Sequence, residues 1–144
     1  MKKAIFIGSV GSGKTTLCQR LLNEQIKYQK TQAVQFYADN QFVDTPGEFL
    51  DNRRLYTALS ISAADVDLVF LLQSASDLRQ VYAPGFGSMF AKPIIGIITK
   101  TDLANDPADL KFIEDQLHDA GAGAVLYTSA ITNEGIDKIR ELLE

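Results

Sequence analysis

Eight residues near the start of the chain, Gly8-Ser9-Val10-Gly11-Ser12-Gly13-Lys14-Thr15, constrain the fold more than anything else in it. They follow a short apolar run, Ala4 to Ile7, and open a segment in which Leu17, Cys18, Leu21 and Leu22 fall on one helical face. The pattern is G-x-x-x-x-G-K-[ST], set between a strand and a helix. Its glycines let the backbone wrap tightly. Successive N–H groups and the helix N-terminus then face a single anion, which is how such a loop holds phosphates. Gly8, Ser9, Val10, Gly11, Ser12 and Gly13 are expected to supply the cradle. Lys14 reaches for the β- and γ-phosphates of a nucleotide, the Thr15 hydroxyl takes a Mg²⁺ ion, and Thr16 follows in the first helical turn.

The remaining chain alternates short apolar runs with helix-length segments. Residues 33–38 and 41–44 read as a hairpin across Asp39-Asn40. Residues 49–63 suit a helix with Leu55, Ala58, Leu59 and Ser62 inward. Residues 67–73 and 94–99 are apolar enough for strands buried on both faces. A helix from about Ser76 is expected to stop near Pro84-Gly85, and a further turn runs from Phe86 to Ala91. Asp106 and Pro107 mark the start of another helix, with Leu110, Ile113 and Leu117 as its buried stripe and Gly121 as its stop. Residues 124–128 form a last strand, and residues 134–143 a last helix facing inward with Ile136, Ile139 and Leu143. This order predicts one α/β domain over residues 1–144. Its architecture is a three-layer α/β/α P-loop NTPase fold with a mostly parallel six-stranded sheet and one antiparallel edge strand. Ligands of such sheets bind at the carboxyl ends of the strands.

Composition narrows the class further. With 144 residues, 46% hydrophobic and 22% charged, the chain can bury a core of its own. A net charge of -4 gives it no electrostatic footprint for nucleic acid or an anionic membrane. Cys18 is the lone cysteine, so an internal disulfide is impossible and a reducing, cytoplasmic setting is expected. The apolar run behind Met1-Lys2-Lys3 is too short for a leader and is read as a strand. His118 reads as an exposed helix residue, and Phe86, Met89 and Phe90 as packing beneath a loop.

Four more segments stand in a telling order: Thr31, Asp44-Thr45-Pro46-Gly47, Thr99-Lys100-Thr101-Asp102, and Thr128-Ser129-Ala130. Together with the first loop they resemble a small Ras-like GTPase domain of the translation-factor-related class. The resemblance implies that Thr31 binds Mg²⁺ and senses the γ-phosphate. It implies that Asp44 holds Mg²⁺ through water and that the Gly47 N–H reaches the γ-phosphate. The Asp102 carboxylate would accept the guanine N1–H and 2-amino hydrogen bonds, for which adenine has no counterpart. The Lys100 stem, beside Thr99, covers the base, and a backbone N–H of Ser129-Ala130 meets guanine O6. GTP and GDP are thus the expected nucleotides, with ATP as the alternative.

Longer segments narrow the resemblance. Lys30-Thr31-Gln32-Ala33, Asp44 to Arg54, Pro84 to Phe90 and Lys92-Pro93-Ile94-Ile95-Gly96 are similar to the EutP/PduV family of ethanolamine and propanediol utilisation proteins, and the similarity covers the whole chain. It implies an accessory role in coenzyme-B12-dependent catabolism within bacterial microcompartments, with shell or pathway proteins as partners. Glu48 departs from the GTPase pattern, standing where many relatives carry the glutamine that orients attacking water. A γ-phosphate repels an anionic Glu48 or raises its pKa, and Val10 occupies a loop position where a side chain can crowd the transition state. Hydrolysis through Lys14, Gly47 and Glu48 is therefore expected to be slow, and the leading expectation is a GTP-binding switch or slow GTPase. Arg53 and Arg54 line a solvated helix face, stabilise developing charge or bind a partner. Two other functions remain open: a small-molecule kinase that phosphorylates a carboxylate such as acetate, and an interaction module that binds nucleotide without turnover.

Overall fold

The computed structural model describes residues 2–9, 11–21, 35–37, 42–44, 59, 61 and 63–143. The chain enters through β1 (Ala4–Ile7) and α1 (Lys14–Leu21). Two short strands follow, β2 (Gln35–Tyr37) and β3 (Phe42–Asp44), and then β4 (Leu68–Ser74) and β5 (Ile94–Thr99). It ends with α2 (Pro107–Ala120), β6 (Ala124–Tyr127) and α3 (Ile136–Leu143). Four strands, β1, β4, β5 and β6, lie side by side in that order and run parallel. On the other side of β1, β3 pairs with it in parallel, Phe6 opposite Asp44, and β2 lies antiparallel to β3.

Period-2 alternation in the strands assigns side chains to two faces. Ile5 and Ile7 of β1, with Val69 and Leu71 of β4, join Ile113 and Leu117 of α2 and the aromatic side chains Tyr82, Phe86 and Phe90. Ala4, Phe6, Phe70 and Leu72 point the other way, onto Leu17 and Cys18 of α1 and Ile136 and Ile139 of α3. The Phe6 and Phe70 rings meet at 5.0 Å between centroids. Every residue of β4 is buried, the signature of a strand covered on both faces. Each fully buried aliphatic side chain contributes about 1.5–3 kcal/mol, so the two clusters fix the sheet between two helical layers.

Several sequence expectations are met closely. The helix start at Asp106 is real. Its carboxylate accepts the Ala108 N–H at 2.9 Å, with Pro107 at the first position, and Gly121 closes the helix at φ 121°. Cys18 is buried, His118 is exposed, and Phe86 and Phe90 pack inward.

Two expectations fail. Residues 76–84 form turns rather than a helix. The Gln73 side-chain amide donates to the carbonyls of Asp77 (2.8 Å) and Arg79 (3.1 Å), and the Asp77 carboxylate accepts the Arg79 backbone N–H (3.1 Å). These bonds occupy groups that a helix would pair with one another. Tyr82 is drawn inward as well, its hydroxyl 2.7 Å from the Leu72 carbonyl oxygen and 3.0 Å from that of Ile7. The last helix begins at Ile136, not at residue 134, because Asn133 (φ 71°) and Gly135 (φ 73°) take left-handed backbone conformations. The expected turn of Leu22 and most of the 49–63 helix lie outside the described residues. Within that segment Leu59 is buried, as expected.

Candidate functional site

The loop between β1 and α1 lies at the carboxyl end of the sheet. Gly11 (φ 83°) and Gly13 (φ 93°) both need a left-handed backbone. Between them the Ser12 N–H bonds the Ser9 carbonyl at 3.0 Å, and the Leu17 N–H closes the first helical bond onto Gly13 at 2.9 Å. Ser9, Ser12 and Lys14 are buried, and Thr15 and Thr16 are half-buried in the first turn of α1. Among the described residues the buried Ser12 hydroxyl has no hydrogen-bond partner.

Residues from the far end of β5 fasten this loop from outside. The Thr99 hydroxyl donates to the Ser12 carbonyl. Lys100 adopts a left-handed conformation (φ 57°, ψ 39°) that carries its ammonium to the Gly11 carbonyl, 2.8 Å away. An extended Lys100 would continue the strand and lose that reach. A cleft opens between the two segments, lined by Gly13, Thr16, Thr99, Lys100, Thr128 and Ala130.

Asp102 lies two residues beyond Lys100, in a short 3₁₀ turn, Thr101–Leu103. One oxygen, Oδ1, accepts the Ser129 hydroxyl at 2.7 Å. Its second oxygen accepts nothing among the described residues. Ser129 is fully buried, and its own oxygen accepts the Thr132 N–H. The Ser129 N–H is spent on the Glu134 carbonyl at 3.0 Å. The sequence alone did not separate the two amides of Ser129-Ala130; this bond removes Ser129's.

The structure thus gathers four of the expected segments, or parts of them, at one end of the sheet: Gly8 with Ser9 and Gly11–Thr16, Thr99–Asp102, Ser129-Ala130, and the backbone of Asp44 at the end of β3. Val10, Thr31, Gly47, Glu48, Arg53 and Arg54 lie outside the described residues. Sequence reasoning missed Thr101 and Glu134. Thr101 is the variable position of its motif, and Glu134 was absorbed into a helix. It also missed Arg20, whose Nε donates to Asn133 Oδ1 at 3.1 Å and so ties α1 to the β6–α3 loop.

The electrostatic perturbations fall elsewhere. The hydrogen bonds from Arg79 hold the Asp77 carboxyl below its ordinary value, against an opposing effect of burial. Burial, and then the Glu114 carboxylate that accepts its hydroxyl at 2.9 Å, push the Tyr127 phenol upward. Among the described residues no three His, Cys, Asp or Glu side chains gather to hold a metal, and no helix is long and apolar enough to cross a membrane.

Comparison with known proteins adds the family. The whole chain, residues 1–144, matches the family model described as "Ethanolamine utilisation - propanediol utilisation". The chain is 41% identical over 139 residues to "Propanediol utilization protein PduV" of Citrobacter freundii, covering 96% of this chain and 91% of that one. It is 39% identical over 104 residues to "Probable acetate kinase EutP" of Escherichia coli strain K12, covering 72% of this chain and 65% of the relative. The corresponding Salmonella typhimurium protein, of the same name, is 38% identical over the same shares. A match along its full length and a near-full-length relative at this identity establish that the chain belongs to the PduV-EutP family of ethanolamine and propanediol utilisation.

Proposed function

We propose that the chain is a single Ras-like P-loop domain that binds a nucleoside triphosphate with Mg²⁺, GTP in preference to ATP, as an accessory to ethanolamine or propanediol utilisation. The observation that carries this reading is the double clamp of Thr99 on Ser12 and Lys100 on Gly11. It joins the loop suited to phosphates to the strand end suited to a base, so that one nucleotide can touch both. The residues present fit the ligand. Successive loop residues, two with left-handed glycine backbones, open into a helix N-terminus, and the Ser12 hydroxyl, buried and without a partner among the described residues, leaves a hydrogen-bonding group unmet inside the loop. In this reading Thr15, Thr31 and Asp44 hold Mg²⁺, and bound Mg²⁺ offsets charge on the phosphates. Lys14 and the Gly47 N–H stabilise charge on the γ-phosphate. The strand β2 serves as the antiparallel edge of a six-stranded sheet. The setting is cytoplasmic, at bacterial microcompartments, with shell or pathway proteins as partners.

With water as acceptor the reaction is slow hydrolysis, because Glu48 cannot orient water without bringing negative charge toward phosphate. A second reading is favoured by the printed name of the EutP relatives, "probable acetate kinase". There a carboxylate oxygen attacks the γ-phosphorus, the bond to the β-phosphate oxygen breaks, and an acyl phosphate leaves with the nucleoside diphosphate. A third, nucleotide-dependent partner binding without turnover, needs only the same binding site. One experiment separates them. Purified protein is mixed with Mg²⁺ and GTP or ATP, with and without acetate, and bound nucleotide, inorganic phosphate and acetyl phosphate are measured. Phosphate release from GTP regardless of acetate supports the switch or slow GTPase. Acetyl phosphate formation supports the kinase, binding without either product supports the interaction module, and failure to bind either nucleotide overturns the proposal.

A further inference from the structure

Glu134 stands beside the cleft but lines no part of it, and its hydrogen bonds lead to both segments that would read the base. Its backbone carbonyl accepts the Ser129 N–H at 3.0 Å. Its carboxylate accepts the Thr101 hydroxyl at 3.1 Å. That hydroxyl is also 3.1 Å from the Thr128 carbonyl, which already accepts the Thr101 N–H at 3.1 Å. A hydroxyl has one proton, and an ionised carboxylate is the stronger acceptor. The carboxylate therefore sets the Thr101 side chain, and Thr101 shares its 3₁₀ turn with Asp102.

Glu134 is exposed, and an exposed hydrogen bond ordinarily positions little. Here the backbone that presents it is held on both sides. Before it, Asn133 has a left-handed backbone and its side chain is bonded by Arg20. After it, Gly135 packs so closely on β6 that a Cβ there would lie 2.2 Å from the Tyr127 carbonyl oxygen. Glu134 thus projects from a loop with little freedom, and the ordering cost of its contact is largely met by the fold.

We infer that Glu134 is a positioning residue for base recognition: through Thr101 it sets the Asp102 carboxylate, and through Ser129 it leaves Ala130 as the amide facing the cleft. This rests on the nucleotide reading above. The test compares GTP with ITP, which keeps the guanine O6 and N1–H but lacks the 2-amino group. Affinities for both are measured by competition for the parent, Glu134→Ala, Glu134→Gln, Thr101→Val and the double variant Glu134→Ala/Thr101→Val, with circular dichroism as a check on folding.

In the parent, GTP is preferred over ITP. In Glu134→Ala the preference shrinks by roughly three- to tenfold, the scale of one ordinary hydrogen bond, since the contact is exposed and acts on the base only through Thr101. Glu134→Gln, which still offers an acceptor oxygen, keeps most of it. Thr101→Val reproduces the loss, and the double variant loses no more than either single one. A merely destabilised loop would weaken both nucleotides alike and leave the ratio unchanged. A parent that prefers GTP, with an unchanged ratio in the folded Glu134→Ala and Thr101→Val variants, overturns the positioning role and leaves the base reading standing. A parent without preference for GTP over ITP overturns the base reading, and this inference with it.

Discussion

Lys14 and Asp102 carry the two halves of the nucleotide reading, and each can be tested alone. Lys14 follows directly on the glycine loop and is almost fully buried, a place lysines seldom occupy unless paired. Lys14→Ala is expected to leave the fold intact and to lower triphosphate affinity by at least about tenfold, since a charge-assisted contact is worth roughly 1.5–3 kcal/mol. Titration calorimetry on the folded variant checks it; undiminished affinity would remove the loop from the site. Asp102→Asn is expected to move preference from GTP toward XTP, because the amide offers a donor where xanthine has a carbonyl. It also retains an oxygen that can accept the Ser129 hydroxyl, so the turn should survive. Competition among GTP, XTP and ATP reads the outcome, and a parent that binds ATP as well as GTP would reduce Thr99–Asp102 to a strand-end turn. The motif residues were legible in the sequence as a group because each of the described motifs follows a strand, which brings them to one end of the sheet. Thr101 and Glu134 were not, since their roles arise only where two loops far apart in sequence meet.

At the level of elements, legibility followed the kind of signal. The helix α2 was readable because its cap, its proline and its terminal glycine are local and act within one turn. The strands β4 and β5 were readable because unbroken apolar runs leave few alternatives. The segment 76–84 was misread because what stops the helix is Gln73, a side chain from the preceding strand, together with the Asp77–Arg79 pair. That pair gives an element-scale prediction. Arg79 Nε and Nη2 contact the two Asp77 oxygens at 2.9 and 2.8 Å, and the Asp77 pKa is lowered accordingly. A carboxyl whose folded pKa lies below its ordinary 3.8 contributes stability above that value and loses it as pH falls through the folded pKa. Arg79 is mostly exposed, so solvent screening keeps the gain small. Arg79→Ala is therefore expected to cost about 0.5–1 kcal/mol at neutral pH and to match the parent in strong acid. Denaturant melts across that range test the sign. An equal loss at both ends would assign the role of Arg79 to packing.

For the molecule as a whole, the sheet's architecture follows from the alternation of its strands, while the joining of its motifs does not. Ile5 and Ile7 against Ala4 and Phe6 announce two buried faces in the sequence. Nothing in the sequence announces that Lys100 turns left-handed and grips Gly11, or that Arg20 bonds Asn133. Those contacts, with Arg140 Nη2 on the Arg20 carbonyl at 3.1 Å, link the loop, α1, the β5 end and the β6–α3 loop. If a nucleotide binds as proposed, protection from amide hydrogen exchange should rise together in residues 11–16, 99–103 and 128–135, whichever end of the ligand contacts them. GDP and GTP should protect these segments alike, because base and β-phosphate are common to both. The difference between the two states should fall at residues 28–35 and 45–56, which carry Thr31 and Gly47, the residues assigned to Mg²⁺ and the γ-phosphate. Hydrogen exchange with GDP and with a non-hydrolysable GTP analogue measures both effects. Protection confined to residues 11–16 would mean that the clamp does not couple phosphate and base sites. Equal exchange of residues 28–35 and 45–56 in the two states would leave a switch without a structural basis, and the protein should then be treated as an enzyme only.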